Sequence, residues 1–91
     1  MMFNENLAQL TYIGKDCLKI PPVLCKLYGH QAKRLDLSYN NLETLAGLER
    51  FTQLEELILD NNCLSETAFP ASARLTAISL NKNKVVWLVT T

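Results

Sequence analysis

Ninety-one residues leave room for one small domain and no second one, so an enzyme of ordinary complexity is a poor expectation. Nine lysines and arginines balance nine aspartates and glutamates, giving a formal net charge of zero, and 48% of the residues are hydrophobic. That balance excludes a disordered polyelectrolyte and argues against direct nucleic-acid binding, and it raises the question of where so much apolar side chain goes.

The chain opens MMFNENLAQLTYIG, with no basic segment leading into an apolar core, so no secretory leader is expected. Nowhere does an apolar run approach the roughly 20 residues that span a membrane, so no transmembrane segment is expected either. Cys17, Cys25 and Cys63 are odd in number and form no paired CxxC motif, which reads as reduced thiols in the cytoplasm, with the nucleus also open. Further on, PPVLCKLYG predicts a short helix that starts at Pro21 or Pro22 and stops at Gly29, with Val23, Leu24 and Leu27 on one side. Residues 1–30 together read as a degenerate amino-terminal capping segment.

From residue 31 to 91 about three copies of one pattern follow. RLDLSYNNL carries Leu35, Leu37, Asn40 and Leu42 as LxLxxNxL, LEELILDNNCL repeats it at Leu57, Leu59, Asn62 and Leu64, and LTAISLNKNKV repeats it at Ile78, Leu80, Asn83 and Val85. The asparagines are 22 and 21 residues apart, so residue type and spacing recur together. Alternation turns the Leu35/Leu37, Leu57/Leu59 and Ile78/Leu80 pairs inward, and Asn40, Asn62 and Asn83 are expected to form a structural ladder satisfying backbone groups at the bends. Between the first two strands Leu42, Leu45, Leu48, Phe51 and Leu54 recur every three residues, which suits a turn or short helix backing onto the strands. After the second strand, Pro70 argues against a long helix and Phe69 is expected to supply interior bulk. Extending the repeat backwards by 22 residues sets Ile13 level with Leu35, Ile20 with Leu42 and Val23 with Leu45, and puts Leu18 in the asparagine position.

This pattern is the leucine-rich repeat signature, and its implied fold is an α/β solenoid with short parallel strands on the concave face and turns or short helices on the convex one. The concave rows are then Arg34, Glu56 and Ala77; Asp36, Ile58 and Ser79; and Ser38, Asp60 and Asn81. The expected protein-binding surface is Asp36, Glu56 and Asp60 around Ile58, flanked by Arg34, Ser38, Ser79 and Asn81, suited to a partner with a basic residue beside an apolar one. At the carboxy end, NKNKVVWLVTT is followed by no further strand or cap. The expectation is an incomplete or dependent scaffold, with Val86, Trp87 and Val89 as an open-end interface for self-association.

Catalytic machinery is not expected. His30 sits in GHQAKR with no nucleophile motif beside it, the three glycines are scattered, and no metal or cofactor motif is present. The second and third units and the GLERF segment resemble the roughly 22-residue intracellular repeats of phosphatase-regulatory, small nuclear ribonucleoprotein and dynein-associated relatives. YIGKDCLKIPP, AKRLDLSYN, LEELILDNN and LNKNKV resemble a branch of that family tied to pigment cells. The resemblance implies a non-enzymatic adaptor in melanocyte differentiation or melanosome formation, with a protein partner such as a Rab-type small GTPase. Two alternatives stay open: a truncated structural product with little binding of its own, and a scaffold of a ribonucleoprotein or phosphatase complex.

Overall fold

Each inward position of the repeat sits at the centre of a three-residue strand: Leu35 in Arg34–Asp36, Leu57 in Glu56–Ile58 and Ile78 in Ala77–Ser79. A computed structural model describes residues 2–65 and 74–83. In chain order the elements are β1 (Met2–Asn4), β2 (Gln9–Thr11), α1 (Pro22–Tyr28), β3 (Arg34–Asp36), a 3-10 turn at Leu48–Arg50, β4 (Glu56–Ile58) and β5 (Ala77–Ser79). They make a mixed, mostly parallel α/β arrangement, one sheet in the order β1-β2-β3-β4-β5 with β1 alone antiparallel to its neighbour.

The core is the leucine set. Leu10, Leu35, Leu37, Leu42, Leu57, Leu59 and Leu64 are each at most 1% exposed, and Leu45, Leu48, Phe51 and Leu54 close the side opposite the strands. Three-residue spacing there produces the 3-10 turn, whose residues eclipse at i and i+3 and so keep one apolar edge inward. Burial is weaker at β5, the last strand among the described residues: Ile78 occupies the inward position opposite Leu57 yet is 41% exposed.

The amino-terminal segment departs from the sequence reading in register. Leu10, and not Ile13, stands level with Leu35, an offset of 25 residues where 22 was expected. Ile13 is accordingly 40% exposed. Cys17, not Ile20, takes the place of Leu42: Asn41 donates its backbone N–H to the Cys17 carbonyl as Cys63 does to that of Leu42. Lys15, not Leu18, falls in the asparagine slot. The extra three residues are accommodated by α1, which needs a longer connection than the 3-10 turn of the next unit. Pro22 opens α1, but its inward residues are Leu24 and Cys25. Val23 and Leu27 face out at 54% and 48% exposure, so the helix is rotated from the expected stripe. The β1–β2 hairpin, absent from the sequence reading, adds Phe3, whose ring stacks on Tyr28 at 4.8 Å.

Candidate protein-interaction surface

The asparagines form the frame on which the solvent-facing side of the sheet is built. Asn62 Nδ2 donates to the carbonyls of Leu59 and, one unit earlier, Leu37, while its Oδ1 accepts the Leu42 N–H at 3.0 Å. Asn83 does the same with Leu80, Leu59 and the Leu64 N–H, and Asn40 with Leu37, Tyr12 and the Lys15 N–H. Each amide thus serves its own bend and the preceding one, where backbone groups would otherwise be buried unpaired. Bends fixed in this way hold neighbouring strands in register.

Register then dictates which outward side chains adjoin. Gln9, Arg34, Glu56 and Ala77 lie in one row, and Thr11, Asp36, Ile58 and Ser79 in the next. Arg34 Nε and Glu56 Oε2 approach to 3.1 Å, both side chains about two-fifths exposed. The pair lacks hydrogen-bond alignment, since Arg34 Nε finds no hydrogen-bond acceptor, and contributes about 0–1 kcal/mol. Its consequence is electrostatic: the cation of the row is already engaged.

The two aspartates are held differently. Asp36 Oδ1 accepts the Ser38 hydroxyl at 2.6 Å and the Ser38 N–H at 3.0 Å. Asp60 Oδ1 accepts the Ser79 hydroxyl at 2.6 Å and the Asn81 N–H at 2.9 Å. Ser38, expected on the solvent-facing binding surface, is buried, whereas Asn81 stays exposed and donates to the Ser79 hydroxyl. These neutral donors orient the carboxylates and leave their charge in place. Neither Asp36 nor Asp60 makes an ion pair among the described residues. Ile58, half-buried, lies beside Asp36.

Tyr39 was missed by the sequence reading. It is 62% exposed and stands at a φ of 56°, and its N–H donates to the Asp60 carbonyl at 3.0 Å, which sets it beside Asp60 across the strands. Comparing the residues before each repeat asparagine would have exposed it, because Asn61 and Lys82 share its position and its positive φ. Of the other residues singled out, His30 is exposed and its Nδ1 lies 3.0 Å from the Thr52 hydroxyl. All three thiols are free, with Cys25 buried. Among the described residues no group of His, Cys, Asp and Glu side chains could hold a metal ion, and no helix is long and apolar enough to cross a membrane. Phe69, Pro70, Val85, Val86, Trp87 and Val89 lie outside the described residues.

No protein-family model matches the chain, and no solved structure does. It is 47% identical over 57 residues to the human leucine-rich melanocyte differentiation-associated protein, covering 58% of this chain and 29% of that one. To the leucine-rich repeat-containing G-protein coupled receptor 4 of Xenopus tropicalis it is 39% identical over 62 residues, 68% of this chain and 6% of that one. The match thus spans under a third of either relative. Two proteins of such different description share it, so the likeness is to leucine-rich repeat proteins in general.

Proposed function

We propose that the chain is a leucine-rich repeat solenoid module acting as a non-enzymatic protein-binding adaptor, with the outward rows of β2 to β5 as its contact surface. The observation that carries this reading is the division of labour among polar groups. The repeated asparagines face inward and serve the backbone, while Asp36, Ile58 and Asp60 face outward with their charge and apolar surface unpartnered among the described residues. The repeated asparagines have structural tasks, and among the described residues no group of His, Cys, Asp and Glu side chains could hold a metal ion. The odd number and unpaired spacing of the cysteines favour a reducing compartment, cytoplasm or nucleus. The likeness to the melanocyte protein supports a role in pigment-cell differentiation. A Rab-type small GTPase, the partner the family resemblance implies, is the finer candidate.

Proximity labelling in pigment cells tests the reading. The full 91-residue chain and its D36N/E56Q/D60N variant, which keeps one acceptor oxygen at each position and removes three charges, are compared after both are shown to be folded. Proteins labelled by the wild type should fall about tenfold with the variant, the effect of losing one strong contact. Equal labelling by the two forms removes this surface as the binding site. A Rab-type GTPase in the charge-dependent set carries the finer candidate with it.

A further inference from the structure

A row of turn residues runs along one end of the strands: Gly14, Tyr39, Asn61 and Lys82, with φ values of 66°, 56°, 57° and 55°. The offsets between them are those of the strands themselves, so all four occupy one structural position, and that position demands a left-handed backbone. Glycine adopts it freely and asparagine readily, whereas for a bulky aromatic residue it is an outlier. No packing compensates Tyr39, which is 62% exposed and absent from the core and the side chains packed against it. An exposed aromatic held in a conformation that its backbone disfavours calls for an explanation outside the fold.

Its surroundings supply one. Tyr39 adjoins Asp60 through the 3.0 Å bond from its N–H to the Asp60 carbonyl, and Ile58 lies two residues before Asp60 on the same chain segment, level with Asp36. The Oδ1 atoms of Asp36 and Asp60 are engaged by Ser38, Ser79 and Asn81, so the carboxylates are oriented, and among the described residues no cation pairs with either. Arg34 is paired with Glu56, and Lys82 is separated from Tyr39 by Asn61 along the row. Unneutralised carboxylates, an exposed aromatic face and an aliphatic side chain are together the three groups that recognise a guanidinium: charge and forked hydrogen bonding, stacking, and cover for the methylene stem.

We propose that Tyr39 anchors the interaction surface and that its ring, with Asp60 and Ile58, receives an arginine side chain from a partner protein. This assignment rests on the outward face being a protein-binding surface, and it names that partner's recognition element. Tyrosine is also among the residue types in which binding energy concentrates at protein interfaces.

The probe is a random dodecapeptide library displayed on phage and selected against the immobilised 91-residue chain, the best peptides then being synthesised and measured by fluorescence anisotropy. Selected peptides should carry arginine beside an aliphatic residue. Replacing that arginine with alanine, and separately the chain substitutions Tyr39→Asn and Asp60→Asn, should each weaken binding about tenfold or more. Tyr39→Asn is chosen because asparagine suits the left-handed turn: its melting temperature should rise while its affinity falls, a combination that a purely structural tyrosine would not give. Peptides without a cation, or peptides that bind Tyr39→Asn and Asp60→Asn as tightly as the wild type while losing affinity for Ile58→Ser, overturn the arginine site and leave the binding face standing. A selection that yields no binding peptide overturns both.

Discussion

Asparagine 62 shows how one side chain can matter more than its size. It is buried, and truncation to alanine would leave the Leu37 and Leu59 carbonyls and the Leu42 N–H without their partner. Because a buried polar group left unpaired costs about 1–3 kcal/mol, Asn62→Ala should lose roughly 2–4 kcal/mol in a urea unfolding experiment. Asn83→Ala, at a partly buried position, should lose about half as much, since water can reach the freed groups. A loss at Asn62 no larger than that at Asn83 would refute the ladder as the dominant polar interaction. Cys25 offers a pH test at the same scale. Burial pushes its thiol above the ordinary value of 9.0, Arg50 pulls the other way and Glu49 raises it again. The folded state therefore holds this proton more tightly than the unfolded one. The corresponding stability is complete below the ordinary thiol value and is lost as pH rises through the higher folded value. Burial also raises Tyr12, with the Cys17 thiol acting in the same sense, so both groups act in one direction. The urea midpoint should fall above about pH 9, and the fall should be shallower in Cys25→Ala.

Among the elements, α1 is the one whose fit depends on a single missing atom. A Cβ at Gly29 would collide with the Cys25 carbonyl oxygen of α1 itself and lie 2.6 Å from the Arg50 carbonyl oxygen, and the Gly29 carbonyl accepts the Thr52 N–H at 2.9 Å. The end of α1 and the 3-10 turn of the next unit therefore touch through backbone, which cannot rotate aside. Gly29→Ala should cost about 1–3 kcal/mol by forcing the two apart, whereas an alanine at exposed Lys26 on the same helix should stay within about 0.5 kcal/mol. Similar urea midpoints for the two variants would sink this account of the contact. The elements also separate what residue types encode from what they do not. Strands β3, β4 and β5 are legible because leucine alternation and an asparagine at fixed spacing specify both the inward face and the bend. The β1–β2 hairpin is not, because FNENLAQLTY lacks that asparagine and its one fully buried strand residue, Leu10, has no alternating partner of the same kind. The 25-residue register follows from the length of α1, and a helix was readable there while the number of residues needed to connect it was not. Outward rows follow from register and were legible once the strands were. Tyr39 was not, because a positive φ is dictated by the repeated turn and not by tyrosine itself.

At the scale of the whole molecule, stability is distributed by position along the sheet. Each strand is hydrogen-bonded only to its immediate neighbours in the order β1 to β5, so among the described residues inner strands are flanked by a strand on two sides and β5 on one. The leucines report this: Leu57 and Leu59 in and after β4 are at most 1% exposed, while Ile78 in β5 is 41% exposed. Leu59→Ala should therefore cost about 2–5 kcal/mol through lost burial and the cavity left behind. That is a large fraction of the roughly 5–14 kcal/mol expected for a chain of this length. Ile78→Ala should cost less than about 1–2 kcal/mol, because much of that side chain already meets water. Amide hydrogen exchange should follow the same gradient, with the segment around 77–83 opening first and the amides of Leu35, Leu37 and Leu57 exchanging last. Leu59→Ala should then accelerate exchange in β3 and β4 together, since Leu37 N–H donates to Ile58 and Leu59 N–H to Ser79. Ile78→Ala should accelerate β5 alone. Uniform protection from β2 to β5, unchanged in pattern by either substitution, would mean that the molecule opens as one cooperative unit and that nearest-neighbour coupling along the sheet does not set its stability.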